Sequence, residues 1–219
     1  MSSSDHYYGE AAKDYEAKRS HKPVWDREQR WVKKALSESG SGSRCLDVPV
    51  GTGRFFPFYR ERALEVVGVD LSHDMLSEAR QRALNEGIEV SLKQASILEL
   101  PFDYDSFDIA VCIRLLQWLT PDDADRAIAE LARVTKGAVL VSANCRVRPR
   151  LTLGSIIRQR RKYHSMQEKR RSGKPTMHLH RRRDLLKSFA RHGLLPYDEA
   201  VLGGSRDSRT YHVWSLRHA

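Results

Sequence analysis

Two hydrophobic rhythms alternate along the chain. Short continuous apolar runs occupy 44–50, 64–70, 88–96 and 138–144, and another opens the stretch 107–119 before it turns helical. Between these runs, apolar residues recur every three or four positions. The first rhythm predicts strands buried on both faces, the second helices packed along one stripe. Residues 5–20 carry Tyr8, Ala12 and Tyr15 on one helical stripe; Pro23 interrupts, and 26–36 resumes with Trp31 and Ala35 four apart. The turn cluster SESGSGS (37–43) ends that helix. A helix over 55–62 tolerates Pro57 only in its first turn. Ser72 as N-cap and Gly87 as terminator bracket a third helix, and Pro121 with Gly137 bracket a fourth. Residues 180–193 read as a further helix. Two closing strands, 194–204 and 208–217, pair antiparallel, with Gly203 and Gly204 as their turn residues. Strands alternating with helices imply an α/β fold, a doubly wound, mostly parallel seven-stranded sheet ending in an antiparallel hairpin. A single domain over 1–219 is expected, made of an N-terminal helical segment (1–36), a core (44–145), an insertion (146–179), and a closing helix and hairpin (180–219).

Composition adds bounds. At 219 residues, with 40% apolar and 30% charged positions, the chain reads as one globular domain that needs no disulfide to fold. No run approaches the roughly 18 apolar residues of a membrane span. The N-terminus lacks an apolar stretch after a basic start, so no secretory signal is expected. Cys45, Cys112 and Cys145 lie far apart, in or beside apolar runs and without metal or redox spacing. Reduced, buried thiols, no metal site and a cytoplasmic location are the expectation. Charge changes the picture more. The formal net charge is +10, but 14 Lys or Arg and only Glu168 as acid fall within 146–183, a window of +13 that leaves −3 elsewhere. Such a segment concentrates an anionic partner: RNA, a phosphorylated small molecule or an anionic lipid surface. The alternative is a solvated helical face whose Arg stems cover apolar surface.

The piece that carries chemistry is LDVPVGTGRF (46–55). A strand delivers Asp47 and then a glycine-bearing turn into a helix. Gly51 and Gly53 permit unusual dihedrals and close approach of a ligand to the backbone. The N–H groups of the following helix start point at whatever binds there. Asp70, 17 residues past Gly53, ends the second strand, near the spacing of an acid that grips ribose hydroxyls. A nicotinamide-type loop would need a third glycine two residues on, and GTGRFF lacks it.

This combination resembles the class I S-adenosylmethionine-dependent methyltransferases of small-molecule type, whose first motif is a strand ending in Asp followed by G-x-G-x-G. Pro49 stands where the first glycine would be. QASILELPFDYDSFDIAVC resembles the family's run from third to fourth strand, with Leu100-Pro101-Phe102 present and Ser96 in place of the usual acid. IRLLQWLTP resembles the segment that closes over the sulfonium. The resemblance covers about 40–145 closely and the whole chain in topology, and it implies a Rossmann-like sheet with S-adenosyl-L-methionine as cofactor and S-adenosyl-L-homocysteine as product. By resemblance, Asp47 engages the methionine amino group, Pro49, Gly51 and Gly53 line the cofactor, Asp70 holds the ribose hydroxyls with Leu71 beside it, Ser96 and Ile97 face the adenine, and Cys112 stands where the fourth strand reaches the cofactor. Tyr8 and Tyr15 are similar to the aromatic residues of a lid helix, Tyr15 over the cofactor and Tyr8 toward the acceptor; plain amphipathic packing is the other reading.

Methyl transfer from a sulfonium is an in-line displacement that depends mainly on proximity and orientation. The amino-methylating Asn/Asp-Pro-Pro-Tyr/Phe sequence is absent after the fourth strand, where Cys112-Ile113-Arg114-Leu115 stands. No cysteine sits in the context of a cytosine C5-methylase. Arg114 falls at the carboxyl end of a buried strand, where it contacts an anionic substrate group, helps near the cofactor, or forms an internal ion pair. His178 and His180, with His164 in the same insertion, are candidate bases, and equally plain surface histidines. Arg181 and Trp118 are candidate acceptor contacts, Trp118 alternatively core. The expected activity is methylation of a small or lipid-linked anionic acceptor. RNA methylation through the basic insertion and a non-catalytic cofactor-binding protein are the rivals.

Overall fold

A computed structural model describes residues 22–38, 42–147, 176–205 and 209–219. The order is α1 (Pro23–Ser37), β1 (Arg44–Asp47), α2 (Phe56–Glu61), β2 (Glu65–Asp70), α3 (His73–Glu86), β3 (Val90–Gln94), β4 (Phe107–Cys112), a 3₁₀ turn (Leu116–Trp118), α4 (Pro121–Val134), β5 (Thr135–Arg146), α5 (Arg182–Arg191), β6 (Leu194–Ser205) and β7 (Arg209–His218). The strands form one seven-stranded sheet in the order β3-β2-β1-β4-β5-β7-β6. The first five strands run parallel and β7 pairs antiparallel with both β5 and β6. The expected doubly wound sheet with its closing hairpin is therefore the observed one.

Each sheet face is sealed by its own helices. One face packs α4 and α5 through Ile128, Leu131, Leu185 and Phe189 against Phe107, Val139, Val141 and Trp214. The other packs α1, α2 and α3 through Val32, Leu36, Phe56, Tyr59, Leu76 and Ala79 against Cys45, Val66, Ile109 and Val213. Burial of each large side chain contributes about 1.5–3 kcal/mol. The three cysteines are free and buried, and burial pushes each thiol well above its ordinary range, which leaves them inert as nucleophiles.

Several boundaries differ from the sequence pattern for local reasons. The helix expected from Asp26 begins at Pro23, whose fixed φ and missing N–H suit a first position. Ser72 caps α3 by accepting from Met75 N at 3.3 Å, and Gly87 ends it at φ 62°, as the pattern indicated. Thr120 caps α4 from Asp123 N at 3.1 Å. That helix stops at Val134 and passes straight into β5, so Gly137 is a strand residue rather than a terminator. A Cβ at Gly137 would run into the Asp108 carbonyl of the neighbouring strand, so glycine lets β4 and β5 approach. Gly203 and Gly204 likewise lie within β6, paired with Tyr211 and Thr210, and are not turn residues.

Candidate active site

The chain order reverses between β1 and β4, the place where open α/β sheets bind ligands outside the carboxyl ends of their strands. A cavity opens there. It is lined by the β1–α2 loop (Val48, Pro49, Val50, Gly51, Thr52, Arg54), by Asp70 and Leu71 after β2, by Ala95 to Leu98 after β3, and by Ile113, Arg114, Leu115, Trp118 and Leu119 after β4. Most of the lining is apolar, with few polar groups converging on it, the usual make-up of a small-molecule site.

The loop is built by backbone needs. The Val48–Pro49 bond is cis, and Gly51 and Gly53 adopt φ 55° and 74°. A Cβ on Gly51 would meet nothing within 4 Å, so its backbone is open to the cavity side. Gly53 is different: a Cβ there would run into the Phe56 ring, and Gly53 does not line the cavity. Its glycine serves the packing of the loop on α2, not the approach of a ligand.

Asp70 ties the loop to β2. Its Oδ2 accepts from Gly51 N at 3.0 Å and its Oδ1 from Ser72 N at 2.9 Å. Burial pushes this carboxyl up, and those backbone N–H groups partly offset the rise. The Leu71 N–H also acts on this carboxyl, and an ionised carboxylate, with about four acceptor sites, keeps lone-pair capacity for a hydroxyl donor. Asp47 ends β1 just before the cavity-lining Val48, and is 1% exposed. Burial raises its carboxyl to about 7, with the nearby Tyr59 hydroxyl and Arg54 guanidinium pulling weakly the other way. Its Oδ2 is buried without a hydrogen-bond partner among the described residues. An orphaned carboxylate oxygen beside a cavity suits a cationic ammonium donor. Ser96 lines the cavity with its Oγ accepting from Leu98 N at 3.2 Å, and Ile97 and Leu71 lie beside it.

Two arginines, Arg54 and Arg114, also line the cavity. Outside the lining, Glu28 of α1 is fully buried and gathers both. Arg54 Nη2 reaches Oε2 at 2.6 Å, and Arg114 Nε lies 3.0 and 2.8 Å from the two oxygens. The Tyr211 hydroxyl donates to Glu28 Oε1 and lies 2.7 Å from Ser142 Oγ, which in turn accepts from Arg114 N at 2.7 Å. Each hydroxyl has one proton, so the direction runs from Ser142 through Tyr211 to the carboxylate. Burial, then the neighbouring Glu28 charge, hold the Tyr211 phenol well above its ordinary range. Arg114 sits at φ 65°, a left-handed conformation rare for a non-glycine residue. The internal ion pair anticipated for Arg114 exists, but its acid comes from a helix, not from the sheet.

Other expected residues are elsewhere. Cys112 is fully buried in the core and does not reach the cavity, because its side chain points to the α4 face. His180 is buried and lines no part of this cavity; its Nε2 lies 2.7 Å from the Leu116 carbonyl, and its backbone pairs with Asn144 and Arg146. It fastens the returning chain to β5 and is not positioned as a base. His178 donates its backbone N–H to Gln117 O at 2.7 Å and is also outside the cavity lining. Arg181 borders a separate cleft between α4 and α5. Trp118 does line the cavity. Tyr8, Tyr15 and His164 lie outside the described residues. Sequence reasoning missed Glu28, Arg54, Ser142 and Tyr211. Glu28 left a signal, an acid on the stripe otherwise formed by Trp25, Val32 and Ala35.

A family model described as a methyltransferase domain matches residues 45–137. The chain is 35% identical over 125 residues to a phosphatidylethanolamine N-methyltransferase of Cereibacter sphaeroides, covering 56% of this chain and 60% of that protein. It is 38% identical over 109 residues to a demethylmenaquinone methyltransferase of Thermus thermophilus, covering 48% and 49%. The chain thus spans about half to three-fifths of the length of these curated relatives. Among solved structures it resembles phosphoethanolamine N-methyltransferase 2 of Haemonchus contortus in complex with S-adenosyl-L-methionine, with a TM-score of 0.77 at 17% identity over 100% of this chain and 60% of that one. It also resembles geranyl diphosphate C-methyltransferase of Streptomyces coelicolor, with a TM-score of 0.69 at 15% identity over 98% and 86%.

Proposed function

We propose that the chain is a class I S-adenosylmethionine-dependent methyltransferase that binds S-adenosyl-L-methionine in this cavity and methylates a small or lipid-linked anionic acceptor, leaving S-adenosyl-L-homocysteine; the methyltransferase-domain match over 45–137 and the 35% identical relative support the family reading. The observation that carries the reading is Asp70 bound to the open Gly51 backbone at the topological switch point, with the buried Asp47 just behind the cavity-lining Val48. These residues fit the cofactor's groups. Asp70 offers lone-pair capacity to a ribose hydroxyl, the orphaned Asp47 oxygen suits an ammonium, and the apolar wall of Ile97, Leu98 and Met75 suits a purine ring. When bound, the cofactor supplies an electrophilic methyl on a good leaving group. What the chain contributes is orientation and exclusion of water: apolar walls on both sides, and a fixed polar frame at each end.

The acceptor reading is supported by Arg54 and Arg114 in the cavity lining and by the curated relative named a phosphatidylethanolamine N-methyltransferase. The described ends of the basic segment support it less than its composition suggested. Arg182 is committed to Glu199 and Arg183 to Asp184. The arginines that line the cavity, Arg54 and Arg114, come from outside that segment.

The test is transfer of label from methyl-labelled S-adenosyl-L-methionine to a panel of phosphatidylethanolamine vesicles, small carboxylates and phosphates, and total RNA, each at low and high salt. Label in the small-molecule or lipid arms is the expected result. Label confined to RNA and lost steeply with salt would establish the RNA reading instead. Cofactor binding without label in any arm would leave a non-catalytic binding protein.

A further inference from the structure

The Glu28 cluster lies beyond the residues assigned above to the cofactor's ribose, ammonium and purine. A fully buried carboxylate needs partners, and Glu28 has two guanidinium groups, with the Asp47 carboxyl, itself held partly protonated by burial, as the other acid near Arg54. Arg54 is the more telling of the two. Its side chain is 10% exposed, with its guanidinium 4.0 Å from the Trp25 ring centroid and 4.3 Å from that of Phe55, so it is held between two aromatic faces. Its Nη2 is on Glu28, but its Nη1 is buried without a hydrogen-bond partner among the described residues. Leaving a cationic N–H unsatisfied in the interior is costly unless something anionic arrives. Arg114 faces the same cavity, and its left-handed backbone is fixed by Ser142 and its guanidinium by Glu28. Strain retained by several converging elements is a mark of functional sites.

The cluster also lies on the side of the sheet away from Asp70. Asp70 and Ser96 follow β2 and β3, whereas Arg114, Ser142 and Tyr211 belong to the β4, β5 and β7 side. A ligand whose sugar and base lie toward β2 and β3 meets its reaction partner on the other side. We propose that Arg54 and Arg114 together form the receptor for a carboxylate or phosphate group of the acceptor, with Glu28 holding the two guanidinium groups in place. This inference rests on the cavity being a methyl-transfer site. The same anion chemistry is present in the cofactor's own carboxylate, and the experiment separates the two sources.

Pyrophosphate is titrated by calorimetry into full-length protein saturated with S-adenosyl-L-homocysteine, in the unaltered chain, Arg54→Met and Arg54→Lys. Loss of a charge-assisted contact should weaken pyrophosphate about tenfold or more in Arg54→Met. Arg54→Lys keeps a charge opposite Glu28 but not the fork, and should lie between the two. Affinity for S-adenosyl-L-homocysteine and for its carboxyl-free analogue should remain within about threefold across the series. Equal pyrophosphate binding in all three proteins overturns the receptor. So does binding that survives Arg54→Met but is lost when Arg181, Arg182 and Arg183 are replaced by alanine, which puts the anion on the basic segment. A loss of homocysteine-product affinity in Arg54→Met that the carboxyl-free analogue does not share assigns Arg54 to the cofactor instead. If the unaltered protein binds no S-adenosyl-L-homocysteine, the methyl-transfer reading itself fails; if it binds that ligand and no pyrophosphate, only the receptor fails.

Discussion

Asp47 concentrates the cost of the site in one side chain. Its carboxyl is raised to about 7 by burial, while an unfolded aspartate ionises near 4. Between those values the native state holds a proton that the unfolded state has released, so stability falls as pH rises through that window, and the penalty is fully present above about 7. Asp47→Asn removes the penalty and should raise the melting temperature of the ligand-free protein at pH 8. The same change should cost cofactor affinity, because only the ionised carboxylate attracts an ammonium. Calorimetry from pH 6 to 8 should show affinity rising for the unaltered chain and a flat, weaker profile for Asp47→Asn. Gly53 makes the opposite case, a motif residue whose work is structural. Gly53→Ala places a Cβ at φ 74° against the Phe56 ring, and should destabilise the fold by about 2–4 kcal/mol in denaturant titration.

Among the elements, α1 does more than pack. It inserts Glu28 between two arginines, so Glu28→Ala would leave both without their buried partner. A loss of about 3–5 kcal/mol in chemical denaturation is expected. Where β4 meets β5, Gly137→Ala should lower stability by about 2–3 kcal/mol, since the new methyl would press on the Asp108 carbonyl. These two elements also show what was legible in the sequence. Local chemistry was readable: Ser72 and Gly87 bracket α3, and the loop glycine Gly51 meets Asp70 at the end of β2. Gly137, Gly203 and Gly204 were misread because a glycine that admits a neighbouring strand looks, in one dimension, like a turn. Cys112 and His180 were misplaced for a related reason. Which face of β4 a residue presents, and where the chain returns beside Cys145, are decided by tertiary pairing. Glu28 and Tyr211 are 183 positions apart, so their meeting could not be read from any local window.

At the scale of the molecule, the charge is divided. A core that is slightly acidic by sequence carries a basic segment, yet the cavity draws its positive wall from Arg54 and Arg114. No described helix is long and apolar enough to cross a membrane. Anion recognition at an enclosed wall should resist salt, whereas recognition by exposed arginines weakens as counterions screen it. Acceptor use should therefore change less than about threefold between low and physiological salt if the cavity wall dominates.

The central claim is that the β1–β2–β4 cavity is a cofactor site, and calorimetric titration with S-adenosyl-L-methionine and S-adenosyl-L-homocysteine tests it most directly. Saturable binding of both, weakened by about tenfold or more in a folded Asp70→Ala variant, is the predicted result. Absence of heat with either ligand, from protein whose circular dichroism and thermal transition show it to be folded, would contradict the account.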